Sequence, residues 1–272
     1  MKIRDKVALV LGGGKGIGRE IGLTLAKKGT TVIMTHFDWP EESAAMKREL
    51  TALPGDHLTL SIDLRSPKAI SLMMEEITNH YGQLHILINN IERGGMPVVH
   101  GEYTEDQWDL EFDTTLKAKR WVFHHALPLI KRSGGGAVIN ISSIAALIGR
   151  CGPASLIFND GYCAANRGVG LLTESWARQA APEVRVNELM LGFVDSRHAQ
   201  GTRGWGLLSK KQQEAILNHT LVGRTGSHDD VVKAVLYLLQ DADFMTGATL
   251  RLDGGYILGG SPVQPMPQGV DE

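Results

Sequence analysis

In the stretch GYCAANRGVG, Tyr162 precedes Asn166 by four residues. On a helix, positions i and i+4 share a face, so both side chains can work on one small molecule. A phenol has a reference pKa of about 10. Proton exchange near neutrality therefore asks for a cation beside it, and here the neighbour is an uncharged amide. The pair reads as a proton-transfer site with a part missing, as a site retuned for other chemistry, or as no site.

A second constellation is LGGGKGIG, where Gly12, Gly16 and Gly18 are spaced G-x-x-x-G-x-G. Glycines permit a tight turn and close backbone approach, and a helix N-terminus offers free N–H groups and a positive dipole end to a pyrophosphate. An acid at the end of the second strand would select NAD through the ribose 2′-hydroxyl. In VIMTHFDW the first position past the strand is read as His36, and Lys15 sits in the loop itself. Both favour a 2′-phosphate, hence NADP, with NAD favoured instead if Asp38 reaches the ribose. Asp63 falls at the adenine edge or serves as a strand-to-turn cap.

These residues need a scaffold, and the pattern supplies one. Short apolar runs at 6–11, 30–36, 57–64, 84–90, 136–143, 183–191 and 248–255 read as strands. Amphipathic stretches lie between them. Gly29 stops the first helix, Pro40 opens the second, and Ser66 with Pro67 opens the third. Thr104 and Gln107 form a capping box before a long helix, and a further helix runs from Tyr162 to about Ala180. The result is an α/β, Rossmann-type doubly wound, mainly parallel seven-stranded sheet with helices on both faces. Residues 1–260 form one domain and 261–272 a flexible tail, whose Pro and Gly leave little apolar surface to offset ordering.

Net charge of −2 and a pI near 6.6 give no electrostatic case for nucleic acid or an anionic membrane. Two cysteines exclude a disulfide framework, and no signal peptide or membrane span is read, so a cytoplasmic protein is expected. Ten histidines show no His-x-x-x-His or His-Glu-x-x-His spacing, and no metal site is expected.

From about Lys6 to Tyr256 the chain resembles the short-chain dehydrogenase/reductase family. The resemblance rests on Gly12–Gly18, NNIE (89–92), INISS before a Tyr-x-x-x-Lys-type helix, RVNELMLGFVDS and the carboxyl-terminal TGATLRLDGG. It implies an Asn-Ser-Tyr-Lys set in which Tyr exchanges the proton, Ser polarises the substrate oxygen, and Lys binds ribose and lowers the tyrosine pKa. Ser143 and Tyr162 match, whereas Asn166 stands in the Lys position and Thr115 in the Asn position. The implied cofactor-binding set is Gly12, Gly14, Lys15, Gly16, Ile17 and Gly18, then His36, Asp63, Leu64 and Asn90, with Tyr162, Asn166 and Val194. A homodimer or homotetramer is implied, as is a lid over about 196–222 around Trp205. Phe158, Met96 and Leu147 are further candidates for an apolar substrate pocket.

Losing a unit charge about 5 Å from the phenolate removes on the order of 3 kcal/mol at an effective dielectric near 20, roughly two pKa units. Carbonyl reduction, where Tyr162 only donates, suffers less than alcohol oxidation. The first reading is therefore an NADP(H)-dependent reductase of an apolar or cyclic small molecule, slow and improved by Asn166→Lys. The second is a lyase, isomerase, dehydratase or cyclase using Ser143 and Tyr162. The third is an inactive nucleotide-binding partner subunit. Arg150 and Asp160, in the long stretch between Ser143 and Tyr162, are candidate substitutes for the missing group.

Overall fold

Continuous runs of Val, Ile and Leu, apolar on both faces, cannot rest at a water-exposed edge, and they build the middle of one sheet. The strands are β1 (Val7–Val10), β2 (Thr31–His36), β3 (Leu58–Ser61), β4 (Ile86–Asn89), β5 (Gly136–Ser143), β6 (Val184–Leu191) and β7 (Thr249–Leu252). Their order is β3-β2-β1-β4-β5-β6-β7, with every neighbouring pair parallel. The doubly wound, seven-stranded sheet read from the sequence is the one found. The protein is described by a computed structural model covering residues 1–92, 104–195, 205–260 and 263–269.

The helices are α1 (Gly16–Lys27), α2 (Pro40–Thr51), α3 (Pro67–Tyr81), α4 (Glu105–Glu111), α5 (Ala118–Arg132), α6 (Ala145–Ile148), α7 (Asp160–Ala180), α8 (Lys210–His219) and α9 (His228–Gln240). On one face Ile21, Leu25, Met46 and Val235 pack against Val10 and Ile139. On the other, Ile70, Val122, Phe123 and Trp176 pack against Leu9, Leu87 and Val138. The caps read from the sequence are present. Ser66 Oγ accepts from Ala69 N at 3.3 Å and Thr104–Gln107 closes its capping box; a further box, Ser209–Gln212, opens α8. Among the described residues no helix is long and apolar enough to cross a membrane.

Two details depart from the sequence reading. The long helix after Thr104 is interrupted by a π-helical turn over Phe112–Lys117. There Thr114 Oγ1 donates to Leu110 O at 2.8 Å, and such side-chain bonds compete with the regular ladder. Helix α7 begins at Asp160 because Asn159 Oδ1 accepts from Tyr162 N at 2.7 Å. The stretch between Ser143 and Tyr162 is ordered into α6 and a 3-10 turn, Gly152–Leu156, whose Ala154 N donates to the Tyr256 hydroxyl at 3.0 Å. Residues 263–269 carry no helix or strand, with Val263 and Met266 exposed.

Helices α5 and α7 meet through Phe123 and Trp176, stacked with centroids 4.3 Å apart and planes 8° off parallel. Phe123 is 1% exposed, so Phe123→Ala leaves a cavity and should cost about 3–5 kcal/mol in urea unfolding. A cost below about 1 kcal/mol would mean that this stack does not hold the two helices together.

Candidate active site

Where β1 and β4 diverge, the strand ends open a cleft of about 520 Å³. Its floor is the glycine loop. Gly12 (φ +66) donates its N–H to Thr35 Oγ1 at 3.1 Å, and a Cβ on Gly18 would lie 2.3 Å from Gly12 O, so only glycine lets α1 come this close. Lys15, the N-cap of α1, makes no side-chain capping bond, which leaves the first N–H groups of the helix facing the cleft. A Cβ built on Gly16 (φ +58) meets nothing within 4 Å. Open space above a helix N-terminus fits a dinucleotide pyrophosphate. Gly12, Gly14, Lys15, Gly16 and Ile17 all line the cleft, whereas Gly18 serves the packing beneath it.

At the adenosine end β2 runs through His36, in keeping with the 30–36 run, so Phe37 rather than His36 is the first position beyond the strand. His36 Nε2 is buried with no partner inside the protein. Burial, and then the nearby Lys47 charge, push the imidazole pKa down, favouring a neutral ring. Lys15 Nζ lies 3.0 Å from the centroid of the Trp39 ring. Asp63 does cap its turn: Oδ1 accepts from Arg65 N at 3.0 Å and its carboxylate holds the Arg65 guanidinium at 2.6 and 2.9 Å. It also lines the cleft, together with Leu64 and Asp38.

At the other end stand Ser143 and Tyr162, both in the cleft wall. Ser143 Oγ accepts from Ala145 N at 3.2 Å, which fixes the rotamer and leaves its proton for a ligand. The Tyr162 hydroxyl donates to Glu92 Oε2 at 3.3 Å. Asn90 Nδ2 donates to Gly12 O at 3.3 Å and ties the NNIE turn to the glycine loop. Val194 lines the same space, bridged to Gly226.

Asn166 and Thr115 are placed differently. Asn166 is 1% exposed and its Nδ2 donates to Tyr162 O, one turn back in its own helix, at 3.0 Å. Thr115, on the π-helical turn, donates to Glu111 Oε2 at 3.4 Å. Neither lines the cleft. Arg150 and Asp160 lie 4.0 Å apart with exposed side chains, on the outer surface rather than in the cleft wall.

What the sequence reading missed is a buried charge cluster behind Tyr162. Lys119, one turn after Thr115, is 1% exposed, and its Nζ donates to Ile141 O at 3.0 Å. Burial pushes its pKa down to about 8, against the opposing pull of Glu92, Glu188 and Glu111. Glu188 is itself buried and accepts from Ser142 Oγ and, at 2.5 Å, from Thr249 Oγ1. One signal was available: Thr115, Lys119, Val122 and Ala126 recur at helical spacing, which puts a lysine in an apolar stripe.

The far wall of the cleft is aromatic. Phe158 and Phe193 stack at 5.7 Å, and Trp205 packs on Phe193 at 6.3 Å. Leu147 is exposed and does not line the cleft. Met96, and 196–204 of the lid segment, lie outside the described residues. Burial pushes the Cys163 thiol up to about 11, so it stays protonated at neutral pH. Among the described residues no three metal-ligating side chains come together.

Comparison with known proteins gives the same picture. The sequence profile of the family described as enoyl-(acyl carrier protein) reductase matches residues 12–257. The 3-oxoacyl-(acyl-carrier-protein) reductase FabG of Staphylococcus aureus is 31% identical over 254 residues, 92% of this chain and 97% of the relative. The cyclohexanol dehydrogenase of Acinetobacter sp. is 30% identical over 258 residues, 94% of this chain and 96% of the relative. A short-chain type dehydrogenase/reductase from Mycobacterium ulcerans superposes with a TM-score of 0.82 at 25% identity, over 97% of this chain and 94% of that one.

The buried lysine gives a pH signature. Below about pH 8 the folded protein must hold an ammonium out of water that the unfolded chain solvates, and that penalty fades between about 8 and the ordinary 10.5. Wild type should therefore gain stability relative to Lys119→Met between pH 7 and 10, by up to about 3 kcal/mol in paired urea unfolding curves. A difference between the two proteins that does not move with pH would show that Lys119 titrates normally.

Proposed function

Because the chain belongs to the short-chain dehydrogenase/reductase family, a family of NAD(P)-dependent oxidoreductases, we propose that it uses NADP(H) to reduce a carbonyl of an apolar or cyclic small molecule. The observation that carries this reading is a tyrosine hydroxyl and a serine hydroxyl in the wall of the cleft whose floor is a glycine loop. When bound, the nicotinamide supplies the hydride. The loop residues Gly12–Ile17 hold the pyrophosphate, while Asn90 and Val194 border the space beyond it. Ser143 donates its free proton to the substrate oxygen and polarises the carbonyl. Tyr162 then breaks its O–H bond and protonates that oxygen. Donating to Glu92 at rest keeps Tyr162 in its protonated form, the form that reduction needs.

Support for the cofactor choice comes from the end of β2. A neutral His36 with an unsatisfied Nε2, and Lys15 in the same cleft lining, offer a donor set for a 2′-phosphate where a carboxylate would prefer a hydroxyl. Support for an apolar substrate comes from Phe158 and Phe193. One relative is named for a cyclic alcohol.

In steady-state assays of a carbonyl panel with NADPH, Tyr162→Phe and Ser143→Ala should each lower kcat about 10²–10⁴-fold. NADPH affinity in Ser143→Ala should stay within about threefold, because that hydroxyl is not among the groups read as holding the cofactor. An unchanged kcat in Tyr162→Phe removes the proton-donor role. In fluorescence titration, NADPH should bind about tenfold or more tightly than NADH, equivalent to about 1.4 kcal/mol or more, and His36→Asp should reverse the order. Tighter NADH binding by wild type would mean that Asp38 meets the ribose.

A further inference from the structure

The reductase reading leaves an electrostatic difficulty. Glu92 accepts the Tyr162 proton in a hydrogen bond, so when Tyr162 releases that proton to a substrate, a phenolate is left against a carboxylate. Two negative oxygens at hydrogen-bond distance repel, and a nearby cation lowers the cost of forming the second. Asn166 provides none, and its amide is spent on its own helix backbone.

Helix α5 does bring a cation. Lys119 is among the largest fully buried side chains of the chain, and its Nζ reaches β5 at Ile141, two residues before Ser143. The buried face of α7 lies on the same part of that strand, since Asn140 Nδ2 donates to Thr173 Oγ1 at 2.8 Å. Among the described residues the ammonium has one hydrogen-bond acceptor for its three protons. Among the described residues the opposite charges that act on it are Glu92, just past β4, Glu188 from β6 and Glu111 from α4. Each carboxylate has a hydroxyl donor of its own: Tyr162 on Glu92, Thr115 on Glu111, Ser142 and Thr249 on Glu188.

We propose that Lys119 is a cation of this site: it supplies, from helix α5, positive charge in place of that missing at position 166, and acts through Glu92 as a positioning residue for the Tyr162 proton. The proposal rests on the reductase reading for its catalytic meaning, but not for its electrostatics. Its proton step is balanced within that reaction. The Tyr162 O–H bond breaks, an O–H bond forms on the reduced substrate, and solvent returns a proton to the phenolate after product leaves, while Lys119 offsets the transient charge. Because burial brings Lys119 toward a pKa of about 8, its charge is present at neutral pH and fades above it.

Lys119→Met should lower kcat about 10- to 100-fold with the KM for NADPH within twofold, and should abolish the fall of kcat above about pH 8. The double variant Lys119→Met/Asn166→Lys should regain kcat to within about fivefold of wild type, which no purely structural role of Lys119 would allow. Asn166→Lys alone should lower turnover by adding a second ammonium to one buried cluster, against the sequence-based expectation. A tenfold rise in that variant, or an unchanged kcat in Lys119→Met, overturns the proposal. Carbon-13 NMR of labelled lysines, with Lys119 assigned by the Met variant, tests the electrostatics without substrate. The Lys119 midpoint should fall by about one pH unit in Glu92→Gln, and an unchanged midpoint overturns the proposal. Absence of any wild-type turnover with NADPH would count against the reductase reading alone and leave the NMR result to decide Lys119.

Discussion

In the reductase proposed here, a hydroxyl that gives up its proton beside a carboxylate is the constraint on which the rest of the cleft depends. The Tyr162–Glu92 hydrogen bond holds the phenol protonated and orients it, and it also makes every departure of that proton an act of charge separation. In a half-buried wall, where the effective dielectric is far below that of water, such separation is costly unless a positive group is fixed nearby. The chain has an amide at the helical position from which the family would supply one, and a fully buried ammonium one helix away.

The scaffold can hold such charges because the middle of its sheet is polar where it meets α5 and α7. Asn89 Nδ2 donates to Asn140 Oδ1 at 2.7 Å, and Asn140 passes the chain of bonds on to Thr173. Glu188 sits in a central strand with two hydroxyl donors. Burying these groups without partners would cost several kcal/mol each; all but Asn89 Oδ1 find partners, which fix the register between strands and helices. The π-helical turn belongs to the same arrangement, since it carries Thr115 onto Glu111 and precedes Lys119 by half a turn.

The sheet, its order and the glycine loop were legible because they follow from local physics. Continuous β-branched runs demand two covered faces, Gly12 requires a positive φ, and Ser66, Thr104 and Ser209 announce helix starts by their own hydrogen bonds. Tyr162 and Ser143 were legible from spacing and resemblance, and both line the cleft. The charge cluster was not. A lysine in a helix ordinarily reads as solvated surface, and Lys119 is flanked by Lys117 and Arg120, which do face outward. Glu92 closes the NNIE turn singled out in the sequence, but its bond to Tyr162 spans seventy positions. Arg150 and Asp160 are close in sequence to the tyrosine yet do not line the cleft, which shows how poorly sequence proximity stands in for a long-range contact.

In the arrangement proposed for Lys119, a cation behind the carboxylate rather than directly against the phenol has a consequence for the direction of chemistry. An ammonium in direct contact would stabilise the phenolate and suit a tyrosine that abstracts protons. Here the group in contact with the phenol is an acceptor, which stabilises the protonated form, and the positive charge acts at one remove. Such an arrangement lowers the cost of the transient anion without populating it at rest. It therefore favours proton donation to a nascent alkoxide over proton removal from an alcohol, and it does so within a fold whose backbone contacts to the cofactor loop need not change.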